Sequence, residues 1–332
     1  MRFGRVVPSR DAPVRVERLL EVLKSRGIET RVPAPCGLAP ALAVHAQPYL
    51  DFLAIAWLQW SEIDGHGPEV WPSYFPYWSG RPDQDTRPAC PTEAILGQAG
   101  WYLGDLSSPP GPSTWLSAMR SYETAVAGAQ SILDGEAHAY ALCRPSGHHA
   151  RSDRAAGLCF LNNAAIAAQL LRGKFDRVAV LDIDVHHGDG TQEIFYRRPD
   201  VLTVSIHADP RHAYPFFTGH AHEAGFGAGL GANLNLPLPR GAGRGQMLAA
   251  VDVAAKSIRD FAADALVFAV GFDAHNDDPV GLCALGDDDF GEIAQTVKAL
   301  GVPTLIVHEG GYAIDVIGRC LDAVLGPFLT AS

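Results

Sequence analysis

The sequence predicts an α/β fold, with a central, mainly parallel β-sheet and helices on both faces. Three observations lead there. Short, β-branched-rich runs that are apolar throughout recur along the 332-residue chain, as strands covered on both faces should be. Helix-patterned stretches separate them, and a β-α-β-α alternation implies parallel pairing. Each His/Asp/Glu cluster follows one of these runs, and in open parallel sheets ligands bind beyond the carboxyl ends of the strands.

In chain order, residues 139–143, 177–182, 201–207, 265–271 and 304–308 read as buried strands. Residues 115–133, the Ala-rich 162–171, 247–261 and 289–300 read as helices. The stretch 61–112 differs in character. Pro and Gly are frequent there, and Trp71, Tyr74, Phe75, Tyr77, Trp78, Trp101 and Tyr102 form a dense aromatic group. A segment of this length is more than a bare connector, so a functional loop or association surface is expected. It is read as an insertion in one catalytic domain spanning 1–332.

The chain is long for one domain, but α/β folds reach this size without splitting. A formal charge of −11 argues against a nucleic-acid partner, which needs a basic face, and weakly suits a cationic substrate. No apolar run reaches membrane-spanning length, and residues 1–18 contain no hydrophobic signal core, so a cytoplasmic protein is expected. Cys36, Cys90, Cys143, Cys159, Cys283 and Cys320 are widely spaced with no C-x-x-C. They fit neither a zinc-thiolate site nor a disulfide framework.

Four clusters carry the chemistry. Asp184-x-His186, at a strand end, puts both side chains on one face because strand side chains alternate with period two. Asp273 from another strand completes three ligands and leaves a position open, the mark of a catalytic rather than a structural zinc. His148 and His149 follow Gly147 and supply imidazoles for proton transfer at neutral pH. Two adjacent imidazoles need different charge states and hence different partners, and Asp182 and Asp189 are the carboxylates at hand. Tyr312 after Gly310-Gly311 offers a phenol to a carbonyl oxygen and to the oxyanion developing there. This is an inventory for metal-assisted amide hydrolysis.

The motifs R-P-x-G-H-H-A (from Arg144), G-x-C-x-x-N-N (from Gly157), D-x-D-x-H-H-G-x-G-T (from Asp182), V-S-x-H (from Val204), G-F-D-A-H-x-x-D-P (from Gly271) and E-G-G-Y (from Glu309) resemble the zinc-dependent histone deacetylase superfamily. The N-terminal third resembles its bacterial acetylpolyamine amidohydrolase branch, through Val44-His45, Tyr49–Leu53, Gly97-Gln98 and Thr114-Trp115. The resemblance implies an arginase/deacetylase-type three-layer fold and one zinc on Asp184, His186 and Asp273. It implies His149 as general base then acid, paired with Asp189, and His148 as an electrostatic aid, paired with Asp182. Tyr312 would polarise the carbonyl. It also implies a structural K+ or Na+ near Asp182, Ser205 and the carbonyls of Asp184 and His186, and an acyl tunnel lined by Gly157, Leu158 and Phe217.

Departures bear on the substrate. Leu158 stands where the resemblance expects an aromatic ring, and Leu96 and Ser107 stand where the polyamine branch has acids for a distal ammonium. Glu93 or Asp105 is the substitute the sequence offers. The default expectation is an acetylpolyamine-type N-acyl amide. A small neutral or xenobiotic amide, an acetyl-lysine substrate and a non-catalytic ligand-binding homologue are the alternatives. An arginase-like two-metal centre is disfavoured by Gly188 and His275 at positions where it needs aspartates. The polyamine branch often dimerises through its N-terminal insertion, so the resemblance implies a homodimer or higher homo-oligomer, with the aromatic stretch 71–102 as a contact surface.

Overall fold

A computed structural model describes residues 5, 7–76 and 89–329. Ten helices and eight strands occur among them: α1 (Val14–Ser25), α2 (Ala39–Leu42), α3 (Gln47–Trp60), α4 (Ile95–Tyr102), α5 (Thr114–Leu133), β1 (His138–Ala141), α6 (Asn163–Leu171), β2 (Val178–Asp182), α7 (Asp189–Phe195), β3 (Val201–Ala208), β4 (Asn233–Leu238), β5 (Ala242–Gly243), α8 (Arg244–Asp260), β6 (Ala265–Val270), β7 (Cys283–Ala284), α9 (Asp287–Lys298), β8 (Thr304–His308) and α10 (Ile317–Leu329). The main sheet has the order β1-β8-β6-β2-β3-β4, and every ladder in it is parallel.

Period-two alternation explains the three layers. In β2, Val178 and Val180 enter one core while Ala179 and Leu181 enter the other. β6 divides likewise, with Ala265, Val267 and Ala269 on one side and Leu266, Phe268 and Val270 on the other. Helices α3, α4, α5 and α6 cover the first face, and α1, α8, α9 and α10 cover the second. A strand buried on both faces shows no polar alternation, which is why these runs are apolar throughout. The Ala-rich α6 gains a cap at its start, where the Asn162 side chain accepts the Ala165 amide at 2.9 Å.

The five sequence-predicted strands correspond to β1, β2, β3, β6 and β8, with ends within two residues. β4 escaped notice because its run Asn233–Leu238 is polar at alternate positions and contains Pro237, which only an edge strand tolerates. The aromatic segment splits in two. Val70 and Tyr102 are buried in the core with Trp71 and Trp101 packed on it, whereas Tyr74 is 71% exposed. Tyr77 and Trp78 lie outside the described residues.

Register places the site. Asp182 ends β2 level with Ser205 of β3 and Ala269 of β6, and Val270 of β6 is level with His308 of β8. The loops that follow β1, β2, β6 and β8 therefore leave one edge of the sheet side by side.

Candidate active site

The loop after β2 is held by its own carboxylates. Asp182 Oδ1 accepts the Asp184 amide at 3.0 Å, and Asp184 Oδ1 accepts the His186 amide at 2.9 Å. His186 Nδ1 then lies 3.2 Å from Asp184 Oδ1 and 3.1 Å from Asp273 Oδ2. One ligand atom from each of the three residues falls within 4.8 Å of the others. Asp184 is 1% exposed and Asp273 fully buried. Burial and the adjacent Asp184 carboxylate push Asp273 up to about 7. Burial opposes charge on His186, but the hydrogen bonds to Asp184 and Asp273 lift it to about 10.

Two buried carboxylates aimed at one imidazole nitrogen leave an electrostatic demand for a cation. The remaining carboxylate oxygens are already satisfied, Asp184 Oδ2 by the Gly310 amide at 2.9 Å and Asp273 Oδ1 by the Val185 amide at 2.9 Å. The donor set, one imidazole and two carboxylates with a side chain still 17% exposed, fits a catalytic divalent ion. Two other donor groups fit less well. His275 Nδ1 accepts the Asp277 amide at 3.0 Å, so its proton sits on Nε2 and goes to Asp287 Oδ1 at 3.1 Å. Asp287 Oδ2 in turn pairs with Arg319 at 2.5 Å, which closes that network without a metal. The group His148, Cys159 and Glu309 has its thiol pushed well above the ordinary range by burial, and a thiol must ionise to bind a metal.

The tandem histidines stand next to this cluster. Their ring centroids are 4.0 Å apart, and both Nδ1 atoms donate to carboxylates, His148 to Asp182 at 2.9 Å and His149 to Asp189 at 2.7 Å. That puts a proton on each Nδ1 and turns each Nε2 away from these carboxylates. The charge states diverge. Burial opposes a charge on His148, but Asp182 and Asp184 overcome it and hold the imidazole well above its ordinary value. Burial, followed by the neighbouring His148 charge, lowers His149 to about 4. Arg151 grips the outer oxygen of Asp189 with Nε at 3.1 Å and Nη2 at 2.7 Å. Against the cost of burial, that guanidinium holds the Asp189 carboxyl well below the usual range.

Glu309 joins the first and last site loops, with Oε2 accepting the Gly147 amide at 2.7 Å and the His148 amide at 3.2 Å. Gly310 packs so close that a Cβ there would sit 2.5 Å from Asp184 Oδ2 and 2.7 Å from Asp273 Oδ2. Arg15, buried at 1% exposure, reaches from α1 to the Glu309 carbonyl at 2.7 Å and the Gly311 carbonyl at 2.6 Å. Its guanidinium lies 4.9 Å from the centroid of the Tyr312 ring. Burial pushes the Tyr312 phenol well above its ordinary pKa, so it keeps its proton to donate.

Gly157, packed against the His149 ring, and Leu158 have left-handed backbone with φ of 58° and 69°. A Cβ at Gly157 would collide with the His149 ring at 2.1 Å. Asp105 Oδ2 accepts the Gly157 amide at 3.0 Å, and Ser108 Oγ accepts the Leu158 amide at 2.8 Å.

Phe217 is not part of this wall. It is 87% exposed, and its ring neighbour is the half-exposed Phe216. The ring that faces the site is Tyr214, edge-on to His149 at 4.9 Å and to His186 at 6.2 Å, with its hydroxyl donating to Asp105 at 2.7 Å. Phe217 looks like a tunnel aromatic in sequence, but it is the Tyr214 ring that packs on the site histidines, with its hydroxyl on the part-buried Asp105 carboxylate. Nor is Asp105 free for an ammonium. Its Oδ1 accepts the Ser107 amide at 2.8 Å and hydroxyl at 2.7 Å, so all four acceptor positions are in use. Glu93 is exposed, and Leu96 is 45% exposed.

Asp182 and Ser205 also line a small space, about 10 Å³, with His187, Gly188, Gln192 and Asn235. His207 Nε2 donates to the Gly219 carbonyl at 2.9 Å, so its Nδ1 takes the Ser205 hydroxyl proton at 2.8 Å. Ser205 Oγ then accepts from His187 Nδ1 at 3.2 Å, which leaves His187 Nε2 a buried acceptor with no partner among the described residues. Asn235 Oδ1 is likewise unpartnered.

Sheet, cluster and tandem histidines together define a protein of the histone deacetylase class: the profile described as "Histone deacetylase domain" matches residues 9–327, and the chain belongs to that family of amide hydrolases. Among its relatives, "Acetylpolyamine amidohydrolase" of Burkholderia pseudomallei is 44% identical over 326 residues, 98% of this chain and 93% of that protein. "Acetylpolyamine amidohydrolase 1" of Pseudomonas aeruginosa is 43% identical, over 95% and 90% of the two chains. The crystal structure of the acetylpolyamine aminohydrolase from Burkholderia pseudomallei superposes with a TM-score of 0.93 at 43% identity, covering 99% of this chain and 93% of that one.

Proposed function

We propose that this chain is a zinc-dependent amidohydrolase that deacylates a small N-acyl amine of the acetylpolyamine type, with one zinc held by Asp184, His186 and Asp273. The observation that carries the reading is the convergence of three buried donor atoms within 4.8 Å beside a histidine pair held at Nδ1 by carboxylates. When bound, the metal supplies a Lewis acid for the amide carbonyl and lowers the pKa of a nearby water to about 7.

The protein's own groups do the rest. His149, neutral and with a free Nε2, takes the proton of the attacking water and later delivers it to the departing amine. His148 keeps its charge beside Asp182 and stabilises the negative charge that develops on the carbonyl oxygen. Tyr312 donates its phenol proton in a hydrogen bond to that oxygen, a contact that strengthens as charge accumulates. Asp182 orients the charged His148 ring, and Asp189 holds the neutral His149 in the required tautomer. Gly157, Leu158 and Tyr214 form the wall along which the acyl chain lies. A K+ or Na+ ion in the space between Asp182 and Ser205 would satisfy the unpartnered acceptors there.

A second reading, a small neutral amide, is favoured by the saturated Asp105 carboxylate and by Leu158 in place of an aromatic ring. Zinc-loaded protein given N-acetylputrescine, an acetyl-lysine peptide and an uncharged N-methyl amide side by side tests both. Fastest turnover of the diamine supports the first reading, and preference for the neutral amide replaces it with the second. Metal analysis should return one zinc per chain.

We further propose a cytoplasmic homo-oligomer that associates through the segment around Tyr74 and Phe75, which are 71% and 40% exposed. Light scattering of a Tyr74→Ser/Phe75→Ser variant should then report a smaller species. No helix among the described residues is long and apolar enough to cross a membrane.

A further inference from the structure

Tyr312 sits on a segment that its own sequence cannot hold still. Gly310 and Gly311 precede it, and the close approach of Gly310 to Asp184 and Asp273 excludes any side chain there. Glycine permits that approach but brings the widest backbone freedom of any residue, and Gly311 already uses it at φ 116°. A phenol that must meet an oxyanion within a few tenths of an ångström needs restraint from elsewhere. Arg15 restrains the carbonyls of this segment, and the opposite, amide side faces the loop after β6.

We propose that Asp278 is the positioning residue that aims Tyr312. The inference rests on the role given to Tyr312 above. Asp278, 7% exposed, accepts two successive amides with one carboxylate oxygen, Tyr312 N at 2.6 Å and Ala313 N at 3.0 Å. Its other oxygen accepts the Val280 amide at 2.9 Å, and its own amide donates to the His275 carbonyl at 3.0 Å. The carboxylate is therefore rigid within its own loop before it reaches across. That loop also carries Asp273, so one turn of chain sets both a candidate metal ligand and the direction of the phenol. Two adjacent amides on one oxygen fix the peptide planes on both sides of Tyr312, and with them the Cα–Cβ bond. Asp278 touches no reacting atom and acts only through Tyr312.

The test is a double-mutant cycle on zinc-loaded protein with N-acetylputrescine, or with the neutral N-methyl amide should that be the faster substrate. Asp278→Ala is expected to lower kcat about 10²-fold with KM within about 3-fold, as a misaimed oxyanion donor does. In a Tyr312→Phe background the same change should cost less than about 3-fold, because the group it aims has gone. Asp278→Asn keeps shape but has one acceptor oxygen, which cannot serve both Val280 and the Tyr312–Ala313 pair. It should fall between wild type and alanine, and it carries the cycle if the alanine variant does not fold. An equal loss in both backgrounds, or a KM effect without a kcat effect, overturns the proposal. Full activity of Tyr312→Phe alone would overturn the role of Tyr312 instead.

Discussion

Asp189→Asn isolates what the carboxylate beneath His149 does. Asp189 accepts His149 Nδ1 with one oxygen and two Arg151 N–H groups with the other. An asparagine offers one acceptor and one donor end, so it cannot serve both neighbours. With its oxygen toward His149, its amide hydrogens meet the guanidinium donors with nothing to accept them, an arrangement costing roughly 1.5–3 kcal/mol. The opposite orientation therefore dominates by roughly 10- to 100-fold. In that orientation the amide donates to His149 Nδ1 and drives the ring proton onto Nε2, the atom assigned to take a proton from water. The expected kcat is lower by roughly 10- to 100-fold, the direction seen when a triad aspartate is amidated. Zinc content should be unchanged. Adding Arg151→Met removes the competing donors, lets the asparagine oxygen turn to His149, and should recover most of the loss. Steady-state kcat and metal analysis on the single and double variants decide the matter. If the single variant keeps more than half of kcat, or the double variant is no faster than the single, the tautomer argument fails.

Other outcomes follow from the same geometry. Asp273→Ala should lose bound zinc together with turnover, whereas His149→Ala should keep zinc and lose at least about 10²-fold in kcat; elemental analysis beside the rate assay separates the two. Tyr214→Leu should lower kcat/KM through the site wall and the Asp105 contact, while Phe217→Ala should stay within about 3-fold of wild type in the same assay. His45 and His207 should each make stability fall with acid between pH 7 and 5. His45 and His207, each lowered to about 4 by burial, stay neutral in the folded chain while the unfolded chain takes up protons below about 6.5. The unfolded state binds more protons in that window, so stability rises with pH, by about 2 kcal/mol for each histidine from pH 5 to 7. Denaturant titrations in which a His45→Asn variant shows the same change in stability between pH 5 and 7 as wild type would contradict this.

Strands β2, β6 and β8 were readable as apolar runs because both of their faces are covered, and burial on two sides leaves an unmistakable composition. β4 was not, because an edge strand with Pro237 and alternating asparagines looks like a loop. The motifs carrying Asp184, His186, Asp273, His148, His149 and Tyr312 were readable because each is a short contiguous string with unusual residue types. Arg15 and Tyr214 were not, and Asp105 was offered only as a partner for an ammonium, because each acts through contacts with chain far away. Arg15 meets Gly311 across 296 residues, and Tyr214 meets Asp105 across 109. Asp278 was visible as part of a motif, but its grip on Tyr312 needs the register of β6 against β8 to be known.

The bond from Arg15 to Gly311 also constrains the order of assembly. The segment bearing Tyr312 is clamped by a residue from the first helix, yet β8, which delivers that segment, is the last strand to be synthesised. Contacts of such high sequence separation are slow to form, because loop-closure entropy is lost before they give anything back. On a ribosome, α1 must wait exposed until nearly the whole chain has emerged, since its apolar face, Leu19 and Leu23, packs in the same core as α10. A nascent chain stalled before β8 would carry the donor residues Asp184, His186 and Asp273 on a partial sheet. The tyrosine segment comes only with β8, so competence for hydrolysis arrives in a single late step.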